Sequence, residues 1–303
     1  MPGITPPPPS GHPSYPALQA ACTAVGLDPT EATPVRLAEN AVWRLPGGII
    51  ARVTATGEDR PRTARLELDV AHWLRTQNIP AIYPTAGIDQ PYVTPEGRAV
   101  TWWEELPPHV HGQPREIAQL LTQLHRSPVP NWLPPLDPLP RIRTRLADAH
   151  VALEPADRRW LLSCVDDLGH AWAELPAGMP LAVLHGDAWG GNVASTPHGA
   201  YLLDLDGACV GPPEWDLTST AVKYTGTGAI SRDEYHDFAH AYGQDVTDWP
   251  GYPILATARK LRMIAFAGAV AAQHPHARSE LRYRIDCLRG HHGPAPWRWT
   301  AVP

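Results

Sequence analysis

The chain has 303 residues, with 25 basic groups against 31 acidic ones and a formal charge of −6. This ordinary balance excludes collagen, coiled coil and wholesale disorder, and the length allows about two domains with a core that needs neither disulfide nor metal. The deficit of basic charge, without any Lys/Arg run, argues against nucleic-acid binding, which rests on neutralising many phosphates.

No stretch approaches the roughly 18 to 20 apolar residues of a membrane span, and the first residues carry neither a basic nor an apolar leader region. The expectation is a cytoplasmic protein with no membrane partner. Cys22, Cys164, Cys209 and Cys287 form no Cys-x-x-Cys pair and read as reduced thiols. Lys223 and Lys260 are the only lysines, so arginine carries nearly all the cationic work.

In chain order, the run Pro6 to Pro9 makes residues 1–16 a Pro-rich tail, disordered or polyproline-like. Ala17 to Val25 reads as a short helix closed by Gly26. Val35 to Ala38, Ala41 to Leu45 and Ile49 to Thr54 are short apolar, β-branched segments separated by Glu39-Asn40 and Pro46-Gly47-Gly48, the pattern of consecutive antiparallel hairpins. After Pro61 the spacing of Leu66, Val70, Trp73 and Leu74 predicts a helix ending near Asn78-Ile79-Pro80. Strands are expected at Ala86 to Ile88 and Arg98 to Leu106, which makes 17–106 a β-rich domain with one inserted helix.

Residues 107–303 are mostly of helical period. Helices are predicted over Glu116 to His125, Arg141 to Val151, Asp157 to Leu175, Glu214 to Lys223, Asp233 to Tyr242, Ile254 to Ala272 and Ser279 to Leu288. One strand-rich island interrupts them: Leu181 to Leu184, Val193 to Ser195 and Tyr201 to Asp204. The fold class is therefore α+β, a small antiparallel sheet unit followed by a larger, mainly helical one.

The island carries the chemistry. His185-Gly186-Asp187 follows an apolar strand, Asn192 comes five residues after Asp187, and Asp204 lies on the next strand. Phosphoryl transfer asks little covalent work of a protein beyond a base for the attacking hydroxyl and ligands for the metal that screens the phosphates. Hard oxygen donors suit Mg²⁺, which usually takes one or two carboxylates plus substrate phosphates. Asp187 is the candidate base, with Asn192 and Asp204 as candidate metal ligands. Three polar residues placed after apolar segments are costly to bury without a role.

The stretch His185-Gly186-Asp187 with Asn192 resembles the catalytic loop of the aminoglycoside phosphotransferase and choline kinase family, relatives of the protein kinases. Leu202-Leu203-Asp204-Leu205-Asp206 is similar to the family's strand ending in the metal-binding Asp, and Gly211-Pro212-Pro213-Glu214-Trp215-Asp216-Leu217 to its following Gly-Pro segment. The resemblance covers residues from about 35 to 290. It implies a two-lobed protein-kinase-like fold, with the nucleotide-binding lobe over 17–106 and the catalytic and substrate lobe over 107–303. It also implies an ATP-dependent (or GTP-dependent), Mg²⁺-dependent transfer to a hydroxyl of a small molecule, either aminoglycoside-like, an amino alcohol or a sugar.

By the same comparison, Ala38 to Trp43 with Asn40 stands at the turn over the nucleotide phosphates. Arg52 takes the place of the strand lysine, Glu67 that of its helix partner, and Trp102 to Leu106, with Glu104 and Leu106, that of the hinge facing the adenine. Two departures stand out. The phosphate turn lacks the Gly-rich pattern, and Arg is not interchangeable with Lys at such a site. Asp206 also stands where kinases often have glycine, which leaves two carboxylates on the same side of one strand and makes Asp206 the second candidate metal ligand after Asp204.

Structural readings accompany the chemical ones. His185 reads as a brace of its loop and Asp216 as a cap or loop brace, while Trp189 is the tryptophan placed to touch substrate. Two other functions use the same residues or their surface: a Ser/Thr kinase acting on a peptide during ribosomal peptide maturation, and a nucleotide-binding pseudokinase.

Overall fold

The computed structural model describes residues 11–37 and 40–302. The Pro6 to Pro9 run and the Ala38-Glu39 part of the expected phosphate turn lie outside the described residues. The chain runs α1 (Tyr15–Val25), β1 (Thr33–Leu37), β2 (Ala41–Leu45), β3 (Ile49–Val53), α2 (Arg60–Thr76), β4 (Tyr92–Val93), β5 (Ala99–Glu104) and β6 (Val110–His111). Helices α3 (Pro114–His125), α4 (Leu139–Asp148) and α5 (Pro155–Ala173) follow, then β7 (Ala182–Leu184), β8 (Val193–Thr196), β9 (Gly199–Leu202) and β10 (Cys209–Gly211). The chain ends in α6 (Glu214–Thr225), α7 (Arg232–Tyr242), α8 (Tyr252–Gln273) and α9 (Arg278–Leu288).

These elements form two compact units. The first takes residues up to His111 and also Ala194–Gly207; the second takes Gly112–Val193 and everything after Gly207. The division differs from the expected single boundary at 106/107, because β9 and the segment after it belong with the N-terminal strands.

In the first unit a five-stranded antiparallel sheet has the order β1-β2-β3-β5-β4. The period of two along β2 and β3 sends Ala41, Trp43, Leu45, Ala51 and Val53 to one face, where Leu18, Ala21 and Cys22 of α1 cover them. Trp43 is fully buried, and its Nε1 donates to Ser14 Oγ at 3.1 Å. Helix α1 thus starts before Ala17, and Ser14 to Pro16 belong to the fold rather than to the expected tail. The same alternation sends Arg52 to the opposite face.

Three expectations shift here. Ala86 to Ile88 is a turn, because Gly87 adopts φ +77°, and the strand that pairs with Ala99 and Val100 is Tyr92–Val93 instead. The buried stripe of α2 is Ala64, Glu67, Leu68, Val70, Ala71 and Leu74, with Leu66 and Trp73 at its flanks. At the expected hinge, the Glu104 N–H donates to the Tyr83 carbonyl and the Glu104 carboxylate pairs with Arg75 Nη2 at 2.9 Å, so the backbone donor of Glu104 is already engaged. Leu106 follows the end of β5.

In the second unit α8 is the central element, packed on α4, α5, α6 and α9. Its alanines and Gly268 present a low surface that lets neighbours approach, and Leu255, Leu261 and Ile264 supply the larger apolar contacts. Helices α3 and α7 pack on each other, and β7 pairs antiparallel with β10 through Leu184 and Cys209, Val183 and Val210, Ala182 and Gly211. No helix among the described residues is long and apolar enough to cross a membrane. The four cysteines are free; burial pushes the Cys22 thiol up to about 11 and Cys209 up to about 12, so both behave as small apolar side chains.

Candidate active site

In the first unit, Arg52 is the hub. Its Nη1 lies 2.5 Å from Glu67 Oε1, and its Nη2 lies 2.9 Å from Asp204 Oδ1 and 3.9 Å from Asp206 Oδ2. With its amide oxygen turned inward, Asn40 accepts from Arg52 Nη2 at 2.7 Å. The planar guanidinium fork explains how one side chain reaches all of them, which a single ammonium could not do in the same geometry. Burial works against the charge on Arg52, but Glu67, Asp204 and Asp206 outweigh it and hold the guanidinium proton more tightly than usual.

Glu67 is pushed the other way. Burial raises its carboxyl, Arg52 opposes this, and Asp206 and Asp204 add to it, so that it lies at about 7. Three carboxylates facing one guanidinium leave a formal −2 if all ionise, a charge that a divalent cation would balance. Glu67 is the least exposed of the three, at 3% of its side chain, and Asp204 the most, at 40%.

The expected strand position of Asp204 and Asp206 needs correction. The extended backbone stops at Leu202, Asp204 adopts φ +55°, and Leu205–Gly207 makes one 3₁₀ turn. Aspartate tolerates the left-handed region better than most residues, because its short side chain can bond locally. The two carboxylates therefore flank a turn instead of sharing one face of a strand, yet both still approach Arg52.

In the second unit the loop after β7 is built around Asp216 of α6. That carboxylate is wholly buried and accepts from three donors: the His185 N–H at 2.7 Å, the Gly186 N–H at 2.9 Å and His125 Nε2 at 3.2 Å. Gly186 takes φ +80°, which a residue with a Cβ reaches only with strain. Its carbonyl receives Trp215 Nε1 at 3.0 Å and Arg262 Nη1 at 2.9 Å. The His185 ring accepts the Asp187 N–H at 3.3 Å, and Asn192 Nδ2 donates to the Asp187 carbonyl at 3.0 Å, closing the loop on itself. A Cβ at Gly191 would meet the Trp189 ring, so any larger residue there requires the indole to move.

Because three buried donors depend on one carboxylate, Asp216→Ala is expected to cost about 3–5 kcal/mol of unfolding free energy. A urea titration checks this; a midpoint equal to the parent's would show that the loop is held by other means.

The Asp187 side chain meets cations that the sequence reading did not place there. Arg259 Nη1 donates to Asp187 Oδ1, and Arg262 Nη2 lies 3.6 Å from the same oxygen. Burial raises the Asp187 carboxyl, but Arg259 and Arg262 overcome that and hold it well below the usual carboxylate range. Lys223 of α6 lies over the Trp189 ring at 4.8 Å from its centroid. The signal for these residues was the cluster Arg259-Lys260-x-Arg262 inside an otherwise apolar helix, three cations within one turn. Among the described residues no group of three or more His, Cys, Asp or Glu side chains forms a metal cage.

With this geometry in view, the chain can be set beside known proteins. No curated protein sequence matches it. Solved structures do. An amicoumacin kinase, solved with AMP-PNP and Ca²⁺, aligns at a TM-score of 0.71 and 13% identity over 94% of this chain and 96% of its own. A microcompartment-associated aminopropanol kinase aligns at 0.65 and 19% identity, over 91% and 97%. The choline kinase of Streptococcus pneumoniae aligns at 0.60 and 14% identity, over 90% and 98%. At these identities the likeness establishes the two-lobed protein-kinase-like fold. The sequence profile of the phosphotransferase enzyme family matches residues 31–255, a span that holds Arg52, Glu67, the Asp187 loop, Asp204 and Asp216. The chain thus belongs to the phosphotransferase enzyme family and is an enzyme of the class that phosphorylates alcohol groups.

Proposed function

We propose that this protein is an ATP- and Mg²⁺-dependent kinase that transfers the γ-phosphoryl group to a hydroxyl of a small molecule. The observation that carries the reading is the Arg52 cluster: three carboxylates around one guanidinium, with Asp204 the most exposed of them. Hard carboxylate oxygens with a deficit of positive charge fit Mg²⁺. Asp204, with Asp206 the second candidate, is the ligand proposed from the Arg52 cluster, and Asn192 is a ligand proposed on the catalytic-loop resemblance alone. Bound there, Mg²⁺ would neutralise phosphate oxygens during transfer.

The other roles follow from the chain's own groups. Arg52, held by Glu67 and Asn40, directs its guanidinium toward the nucleotide phosphates, and the segment ending at Glu104 and Leu106 receives the adenine. Asp187 accepts the hydrogen bond of the acceptor hydroxyl and takes its proton. A carboxylate held in its charged form by Arg259 and Arg262 is a weak base, which suits a transition state in which little nucleophile proton has yet been lost.

The test is ADP release from Mg-ATP across a panel spanning amino alcohols, aminoglycosides, neutral sugars, sugar acids and Ser/Thr peptides, with GTP as the alternative donor. Turnover with a small hydroxyl compound, abolished by chelating the divalent cation, is expected. Mg-ATP binding without turnover on any class, or turnover on peptides alone, would count against the small-molecule reading.

A further inference from the structure

In a chain of net charge −6, the surroundings of Asp187 are positive. Arg259 and Arg262 both reach its carboxylate, and Lys223 stands close enough to feel both Asp187 and Arg259. Three cations face one anion. On its far side Arg262 also feels Arg141 and Arg145 of α4. These charges repel one another in a partly dry setting: burial and then Arg259 push the Lys223 ammonium down, and burial, against the pull of Asp187 and with the push of Arg259, Arg141 and Arg145, brings Arg262 down to about 10. Arg262 is already committed to the Gly186 carbonyl and sits beside the Trp215 ring at 5.4 Å. Lys223 and Arg259, on adjacent turns of α6 and α8, are left with a surplus of positive charge beside the group that holds the acceptor hydroxyl.

We propose that the acceptor carries its own anion, a carboxylate or a phosphate ester, that docks on Lys223 and Arg259, so that the substrate class is a hydroxylated acid or phosphorylated alcohol instead of an amine. The inference rests on the phosphotransferase reading for the role of Asp187. An ammonium-bearing acceptor would enter a field of its own sign, since the Asp187 carboxylate is already shared by two arginines and the Asp216 carboxylate beneath the loop is committed to the His185 and Gly186 N–H groups and to His125.

Sets of one skeleton and differing charge test this: glucosamine, glucose, glucuronate and glucose 6-phosphate, with serinol, glycerol, glycerate and glycerol 3-phosphate as a smaller series. Binding is measured by thermal shift on nucleotide-free protein at millimolar ligand, and turnover by ADP release with Mg-ATP. The anionic members are expected to stabilise the protein, glucuronate and glycerate reporting a carboxylate site and the two phosphates a phosphate site. Lys223→Met should weaken that binding by at least tenfold while Lys223→Arg retains it, and far-UV circular dichroism confirms that both variants fold.

Three results would overturn the proposal: stabilisation by glucosamine or serinol equal to that by the anions, no shift with any anion, or a Lys223→Met variant that loses Mg-ATP affinity but not anion binding. The last would assign the cations to the nucleotide's phosphates. Mg-ATP affinity and acceptor-free ATP hydrolysis of the parent protein report on the phosphotransferase reading separately.

Discussion

Asp187→Asn is expected to lower kcat by on the order of 10² to 10⁴-fold while leaving Mg-ATP affinity largely intact. The substitution keeps the size of the side chain and one acceptor oxygen, and the loop beneath it is held by Asp216 through the backbone of His185 and Gly186, which the change does not touch. What is lost is the charge. On the proposed role of Asp187 the acceptor hydroxyl then lacks its anionic partner, and Arg259 and Arg262 lose the carboxylate they share. Because those arginines keep the parent carboxyl below its usual range, Asp187 stays ionised across pH 5–8, and no fall in rate within that window should trace to its protonation. Steady-state turnover, nucleotide titration and a pH profile on parent and variant decide the matter. A variant as active as the parent would remove Asp187 from the chemistry.

The second large effect concerns Arg52. Arg52→Ala leaves Glu67 buried and Asp204 and Asp206 beside it with no guanidinium, and breaking a buried pair by removing one partner costs about 3–5 kcal/mol. The loss should depend on pH. A carboxyl whose proton is held more tightly in the folded than in the unfolded chain contributes stability at low pH that is lost as the pH rises through its folded value; for Glu67 in the parent that window runs from 4.5 to about 7. Removing Arg52 deletes the larger of the two influences that oppose the upward push, the other being the Leu205 backbone hydrogen bond, so the window extends upward and the deficit relative to the parent grows between pH 6 and pH 8. Denaturation at both values measures it, and a deficit independent of pH would mean that Glu67 does not respond to Arg52. Arg52→Lys restores the charge but not the fork, so intermediate stability and weakened nucleotide binding are expected.

Much of this arrangement could be read from the chain because local pattern and tertiary demand agree. Alternation along Ala41 to Leu45 and Ile49 to Val53 identifies the strands, and the same alternation places Arg52 away from the core that Trp43 fills. The pairing of Arg52 with Glu67, expected from family resemblance, is present as a buried contact. Other features turn on tertiary packing. Trp73 is apolar and correctly spaced but stands at the edge of the α2 stripe, because a buried acid, Glu67, occupies its centre. Asp204 and Asp206 lie beyond the end of a strand whose apolar letters continue through Leu203 and Leu205, and composition does not mark the left-handed turn at Asp204. The cations around Asp187 come from α6 and α8, distant in sequence, and only the fold brings them to the loop.

The division of the chain into units also bears on how the protein is made. Residues 194–207, which bring β9, Asp204 and Asp206, are part of the unit whose other residues end at His111. Between them lies the stretch Gly112–Val193, which belongs to the other unit. During synthesis the N-terminal unit therefore emerges with its five-stranded sheet complete but with β6 lacking its partners β8 and β9, and without two of the carboxylates that pair with Arg52. A ribosome must pass Gly207 before that unit is complete. Until then Arg52 has Glu67 and Asn40 but neither Asp204 nor Asp206, and the β6-β8-β9 sheet waits for contacts far away in sequence, the kind that form slowly. The order of translation thus makes the unit that holds Arg52 dependent on the arrival of residues 194–207, and neither unit can be cut out of the chain as a single continuous piece.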